Sequence, residues 1–210
     1  MGLRQKAMRS VVGQFHRPHG LGGRAVGWFM AHRGSNRKRN VWAAGLLDVQ
    51  PDDRVLEIGF GPGIAIEAMA RRATRGLVTG VDHSEELVRQ ATRRNAPAVR
   101  AGRVDLRLGD AEDLPAFDAA FDKILAVNSL MFWGDPVSRL NELRALLNPG
   151  GRIAIAYQPR GPGSTDETAR RAGNEIAAHF ANAGFTDVRV ETLPLKPTAV
   201  VCVLGVRPGP

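Results

Sequence analysis

The sequence predicts an α/β fold: a doubly wound sheet of seven strands, helices on both faces, an antiparallel last strand and a short N-terminal helical cap. Three observations predict it. From about residue 51 to residue 157, short apolar runs alternate with helix-like stretches, which argues for a parallel sheet covered on both faces. The first run leads into the glycine cluster Gly59-Phe60-Gly61-Pro62-Gly63, a tight turn from strand to helix. The last two runs, Val188 to Leu193 and Ala199 to Val206, are separated by only a few residues around Pro194 and Pro197. That gap is too short for a parallel crossover, so these two strands should pair antiparallel.

Each element has its own signal. Arg54 to Ile58 reads as the first strand, and Ile64, Ile66, Ala68 and Met69 as the helix after the glycines. Gly76 to Val81 reads as the second strand, ending at Asp82. Ser84-Glu85-Glu86 then opens a helix, with a serine cap and acids placed on the partly positive N-terminus. Val104 to Leu108, Lys123 to Val127 and Arg152 to Tyr157 follow as strands, the last after a Pro149-Gly150-Gly151 turn. Ser164-Thr165-Asp166-Glu167 has capping-box spacing. Ala172, Ile176, Phe180 and Ala183 recur on one helix face, and Gly184 is the stop. Upstream, Leu21, Ala25, Val26, Phe29 and Met30 fit one apolar helical face; Val41, Trp42, Ala44 and Leu46 fit another. The chain thus divides into a helical head, residues 1–50, and a sheet domain, residues 51–210.

Composition narrows the function classes. Of 210 residues, 43% are hydrophobic and 24% charged, which excludes a disordered, collagen-like or coiled-coil chain. The longest apolar run falls far short of the ~20 residues of a spanning helix. No apolar stretch follows the first Arg and Lys, so no secretory signal is expected; a cytoplasmic protein is expected, with a location peripheral to a membrane as the alternative. One cysteine, Cys202, makes no internal disulfide and reads as a small buried hydrophobe. The net charge of +8 is uneven. Nine Lys and Arg precede the first acid, Asp48; the remaining 20 face all 21 Asp and Glu. The sheet domain is nearly neutral and the basic character belongs to the head.

The candidate chemistry lies at strand ends. Glu57 stands two residues before Gly59, and the spacing is G-x-G-x-G; a dinucleotide site would need glycine where Ile64 stands. A phosphate cradle has no use for that acid, whereas a cationic ligand, or one offering hydroxyl and amine donors, does. Asp82 closes the second strand beside the glycine turn, where a carboxylate can accept both hydroxyls of a ribose. Asp110 follows the third strand and could accept from an adenine amine. Glu112 and Asp113 read as solvated loop charges, and Asp122 as a structural residue at a strand entry. Asn128 sits at the carboxyl end of a central strand, where such sheets bind ligands.

Taken in order, Val55-Leu56-Glu57-Ile58-Gly59-Phe60-Gly61-Pro62-Gly63, Gly80-Val81-Asp82-His83-Ser84 and Gly109-Asp110-Ala111-Glu112-Asp113-Leu114-Pro115 carry a family resemblance. Phe121-Asp122, Leu146-Leu147-Asn148-Pro149-Gly150-Gly151 and Ala183-Gly184-Phe185 complete it. The chain resembles the class I S-adenosylmethionine (SAM) dependent methyltransferases, and within them is similar to the small type 11-like bacterial group. The resemblance implies a Rossmann-like seven-stranded sheet, SAM as cofactor, S-adenosylhomocysteine as product and no metal. It implies that Gly59, Phe60, Gly61 and Gly63 lie under the methionine part, with Glu57 helping to hold its amino group. Asp82 would take the ribose hydroxyls and His83 flank the adenine. Asp110 would bind the adenine amine, with Ala111 offering its N–H. Asn128 and Leu130 would border the methionine and the transferred methyl. No Asn-Pro-Pro-Tyr-like tetrapeptide follows strand four, where the text is Asn128-Ser129-Leu130-Met131. That departure argues against an exocyclic amine of a nucleic-acid base as acceptor.

Methyl transfer from a sulfonium needs alignment and water exclusion, and a base only if the acceptor must lose a proton. Tyr157 and the head histidines, His19 with His16 and His32, are the candidates; Tyr157 at the core edge and surface histidines are the competing readings. The head is expected to cover the cleft, with Phe15, Trp28, Phe29 and Trp42 facing Phe132 and Trp133; ordinary packing of these aromatics is the alternative. A small or lipid-like acceptor is expected first. An RNA or DNA acceptor on the basic head, or a non-catalytic SAM-binding interaction protein, comes second. Residues 1–39 could also make weak contact with an anionic membrane or nucleic acid.

Overall fold

The computed structural model describes residues 34–209. The elements run α1 (Gly34–Leu46), β1 (Arg54–Ile58), α2 (Ile64–Ala70), β2 (Leu77–Asp82), α3 (Glu85–Arg94), α4 (Ala96–Arg100), β3 (Val104–Leu108) and β4 (Phe121–Val127). A 3-10 turn (Leu130–Phe132), α5 (Pro136–Leu146), β5 (Leu147–Tyr157), α6 (Asp166–Asn182), β6 (Thr186–Leu193) and β7 (Val200–Val206) complete them. The seven strands form one sheet in the order β3-β2-β1-β4-β5-β7-β6. β1 to β5 are parallel; β7 runs antiparallel to both β5 and β6, as the short connection around Pro194 and Pro197 requires. The expected helix through Leu21 to Met30 lies outside the described residues.

Strand alternation divides the core in two. Val55, Leu125, Ala154, Cys202 and Leu204 face one side, where α1 and α2 supply Ala43, Ala44, Ala65 and Met69, with Leu47 just after α1. Leu56, Ile58, Ile124, Ala126, Ile153 and Ile155 face the other, against Leu140 and Leu143 of α5 and Ile176 and Phe180 of α6. Both faces are covered, so the central strands read as continuous apolar runs. α1 is therefore part of the main core, and Ala43, Ala44 and Leu47 are fully buried there. Cys202 is buried too, and burial pushes its thiol up to about 12.

Helix starts follow the local chemistry. Ser84 caps α3 by accepting from the Leu87 N–H, and Asp135 caps α5 by accepting from the Val137 and Ser138 N–H groups. The capping box of α6 is shifted by one residue from the expected one. Thr165 is the cap and Thr168 returns the bond, because the helix begins at Asp166. The Pro149-Gly150-Gly151 segment is not a free turn but lies within β5, where Gly150 N–H donates to the Arg207 carbonyl and Arg207 N–H to the Gly151 carbonyl.

Asp122 at the entry of β4 ties three strands together. Its Oδ2 accepts the Arg54 N–H of β1 at 2.8 Å and its Oδ1 the Asn148 side chain of β5 at 2.8 Å. Replacing it by alanine leaves both donors without this acceptor. Asp122→Ala is expected to lower unfolding stability by about 1–3 kcal/mol in urea titration. An unchanged midpoint would show that water substitutes fully at this half-buried site.

Candidate functional site

The carboxyl ends of β1, β2, β3 and β4 meet at one place. The Gly59 N–H donates to the Val81 carbonyl at 2.8 Å, and the Gly109 N–H to the Asp82 carbonyl at 3.0 Å, so the turns after β1 and β3 are both tied to the end of β2. Gly63 holds a φ of 73°, and a Cβ there would meet the Ala91 Cβ at 2.7 Å. Only glycine fits that contact, which seats the turn on α3. Gly61 also has a positive φ, 53°, but a Cβ there would meet nothing. The turn is thus closed against α3 at Gly63 and open at Gly61.

Asp82 organises this turn. It is buried; its Oδ2 accepts the Gly61 N–H at 2.8 Å and its Oδ1 the Ser84 N–H at 3.0 Å. Burial raises its pKa, while the Gly61 and Ser84 amides and the His83 imidazole oppose the rise. His83 is half exposed beside it, Nδ1 3.8 Å from Oδ1. Asp110 begins the loop after β3 and accepts the Glu112 N–H at 3.0 Å; Ala111 is half-buried against the α5–α6 face of the core. Glu112 is not simply a solvated loop charge. Its Oε1 accepts the Gly134 N–H at 2.6 Å and joins this loop to the one after β4.

Glu57 is 0% exposed, and neither of its oxygens accepts a well-formed hydrogen bond, although the Ile66 backbone N–H is near enough to act on the carboxyl. Burial raises its pKa well above the ordinary 4.5, the neighbouring Asp82 carboxylate raises it further, and the Ile66 backbone N–H acts the other way. An orphaned buried carboxyl beneath a glycine turn fits a ligand that brings donors or positive charge to the turn. Ser129 Oγ is likewise buried without a partner, and Ser129 packs beneath Gly59. Among the described residues, no group of three or more His, Cys, Asp and Glu has a metal-binding arrangement.

The structure separates some residues that the sequence groups together. Phe60 is buried in the core, its ring close against Gly80, where the missing side chain leaves room; only its backbone belongs to the turn. Asn128 takes a φ of 55° and its Oδ1 accepts the Gln158 N–H at 2.9 Å, so its side chain joins β4 to β5. Leu130 and Tyr157 come together instead. They line a cleft of about 290 Å³ with Met131, Ile176 and His179, between the 3-10 turn and α6. Trp133 is buried on the α5–α6 face, whereas Trp42 packs against the α1 face, so the two do not face one another. Phe132 is 46% exposed. His19, His16 and His32 lie outside the described residues, as do Phe15, Trp28 and Phe29.

Gln158, His179 and Arg39 did not stand out in the sequence. Gln158 is buried and ends the apolar run of β5, which is the one local signal it gives. Arg39 is buried in α1 between Asn36 and Asn40, spaced for one helix face. Burial, and then the nearby Arg160 charge, lower its pKa to about 9.

Comparison with known proteins gives the family and the fold. A family model described as a methyltransferase domain matches residues 55–151. An uncharacterized methyltransferase of Bacillus subtilis, YdaC, is 32% identical over 184 residues, which is 88% of this chain and 98% of that protein. A 27-O-demethylrifamycin SV methyltransferase of Amycolatopsis mediterranei is 34% identical over 158 residues, 68% of this chain and 57% of that one. Among solved structures, the N-methyltransferase NodS of Bradyrhizobium japonicum, in complex with S-adenosylhomocysteine, superposes with a TM-score of 0.67 at 18% identity. That match covers 86% of this chain and 91% of the other. A putative methyltransferase of Haloferax volcanii, in complex with its Trm112 activator, gives 0.65 at 22% identity, over 89% and 95% of the two chains. At those identities the structures share the fold.

The raised pKa of Glu57 makes stability depend on pH. Folding keeps a proton on Glu57 that the unfolded chain loses above about 4.5, so the native state binds more protons and stability falls as pH rises toward the raised value. Glu57→Gln removes that slope. In thermal melts from about pH 5 to about pH 9, the wild type should lose stability relative to the variant, by about 1.4 kcal/mol per unit of raised pKa. Parallel curves would show that Glu57 ionises freely.

Proposed function

This chain belongs to the SAM-dependent methyltransferases, and we propose that within that family it methylates a small or lipophilic acceptor held beside the 3-10 turn. The observation that carries the cofactor assignment is the open glycine turn at Gly61 held by the buried Asp82 carboxylate, with the orphaned Glu57 carboxyl behind it. SAM, when bound, supplies a methyl already activated on a sulfonium, so the transfer is a single in-line displacement. The chain's own contribution is positioning and exclusion of water. Asp82 accepts the ribose hydroxyls with the lone pairs that Gly61 and Ser84 leave. Glu57 offers a carboxyl oxygen as acceptor to the amino group of the methionine part, directly or through water. His83 and Asp110 flank the adenine, with the Ala111 N–H beside them. Gly59, Gly61 and Gly63 carry the methionine part, and Asn128 and Leu130 border the methyl.

The cleft is mixed: Leu130, Met131 and Ile176 offer apolar surface, which supports a small acceptor with an apolar body, beside the polar Thr168, Arg171 and Glu175. Tyr157 lines it, as do His179 and Glu175, and these are the groups in reach of an acceptor proton there. The rifamycin enzyme of Amycolatopsis acts, by its name, on a small molecule, which favours the same reading. Residues 1–50 serve as a cap on the cleft, with α1 as its anchored part. Among the described residues no helix is long and apolar enough to cross a membrane.

Calorimetric titration with SAM and S-adenosylhomocysteine tests the cofactor site. The wild type should bind both, and Asp82→Asn should bind at least about tenfold more weakly, as expected for a lost charge-assisted hydrogen bond. Equal affinity would remove Asp82 from the site. Incubation of methyl-labelled SAM with cell extract should place the label in small, extractable molecules; label confined to RNA or protein would overturn the acceptor class. Deletion of residues 1–33 should preserve SAM binding and cut acceptor turnover. Unchanged turnover would sink the cap.

A further inference from the structure

Arg39 is 5% exposed, yet no carboxylate pairs with it among the described residues. The first 47 residues of the chain hold no Asp or Glu at all. Its Nη1 donates to Gln158 Oε1 at 2.8 Å, its Nη2 to Asn36 Oδ1, and its buried Nε to nothing. Arg160 brings a second guanidinium to the same Gln158 oxygen, with Nε at 3.1 Å and Nη2 at 2.6 Å. Two positive charges thus converge on one neutral amide oxygen, Arg39 buried and Arg160 exposed to solvent. A buried guanidinium that meets only neutral amide oxygens is costly unless an anion completes its environment.

Arg39 is not needed to satisfy its partners. Gln158 Oε1 keeps Arg160, and Asn36 Oδ1 keeps the Asn40 side chain at 3.1 Å. Structural service to Gln158 and Asn36 therefore does not explain a buried arginine. Its location does suggest a use. Gln158 follows β5, its N–H donates to Asn128 Oδ1 at 2.9 Å, and its side chain donates to the Thr198 carbonyl at 2.7 Å before β7. The two guanidiniums meet on Gln158, just past the carboxyl end of β5, and the Gln158 backbone is bonded to Asn128, the residue that borders the methyl in the proposed reading. A planar guanidinium fork matches a carboxylate or phosphate.

We propose that Arg39 and Arg160, set around Gln158, form a receptor for an anionic group, carboxylate or phosphate, carried by the methyl acceptor. This rests on the methyltransferase reading and narrows its acceptor to small molecules with an apolar body and an anionic end.

The test uses the full chain and inorganic phosphate as probe, titrated with and without saturating S-adenosylhomocysteine at an ionic strength fixed by chloride. Phosphate should bind equally in both conditions, and about tenfold or more weakly to Arg160→Gln. Arg39→Met should melt no lower than the wild type, since it removes a buried charge, and phosphate should stabilise the wild type but not this variant. Binding of S-adenosylhomocysteine without any binding of phosphate overturns the receptor and leaves the methyltransferase reading intact. Displacement of phosphate by S-adenosylhomocysteine assigns the site to the cofactor's own carboxylate and overturns the acceptor assignment. If Arg39→Met melts far below the wild type while Arg160→Gln binds phosphate normally, Arg39 is structural and the proposal fails. Failure of S-adenosylhomocysteine to bind at all removes the methyltransferase reading, and this inference with it.

Discussion

The hydrogen bond from the Gly61 N–H to the buried Asp82 carboxylate is the contact on which the site depends. One side chain at the end of β2 fixes the turn after β1 and, through the Ser84 N–H, the start of α3. The bond is strong because the acceptor is charged and largely shielded from water. The same shielding raises the pKa of Asp82 and, more strongly, that of Glu57 behind it. Two buried carboxyls that repel one another settle into unequal states. Asp82, with amide donors on both oxygens, is the one suited to stay ionised; Glu57, with no well-formed donor, is the one suited to hold a proton.

The sheet order decides where such a turn can face a ligand. The order in which the parallel strands are laid down reverses between β1 and β4, and the crevice lies at their carboxyl ends. Ser129 under Gly59 and Asn128 bonded to Gln158 belong to that crevice because β4 and β5 pair in register next to β1. Strand alternation then separates two neighbours. Tyr157 faces the α6 side and lines the small cleft, whereas Gln158 faces α1 and gathers Arg39 and Arg160. A single residue step thus sends one side chain to the cleft and the next to the paired guanidiniums, at the end of a single strand.

The basic head looks different once Arg39 is located. Nine positive charges without an acid suggest a solvated surface, whose charge is screened and weakly specific. Arg39 does not fit that description, because it lies inside the core side of α1 and bonds an amide 119 positions away. Net charge on a sequence describes attraction at a distance; a single buried cation describes a specific partner.

The sequence by itself determined the layers, the antiparallel end of the sheet and the family. Strand and helix periods, the glycine turn, Asp82 at the end of β2 and the short final connection are local signals, and each survives folding unchanged. Ser84 as a cap and Asp122 as a structural tie were also legible, since their roles depend on near neighbours in an element already identified. The sequence could not say that Phe60 would enter the core against Gly80, that Glu112 would reach Gly134, or that Trp42 and Trp133 would end on opposite faces. Nor could it set Arg39 beside Arg160, 121 positions apart in the chain. These were decided by tertiary structure alone, because each depends on which face of the sheet a side chain meets and on what stands across from it. A periodicity records that a residue is buried; only the packed fold records against what.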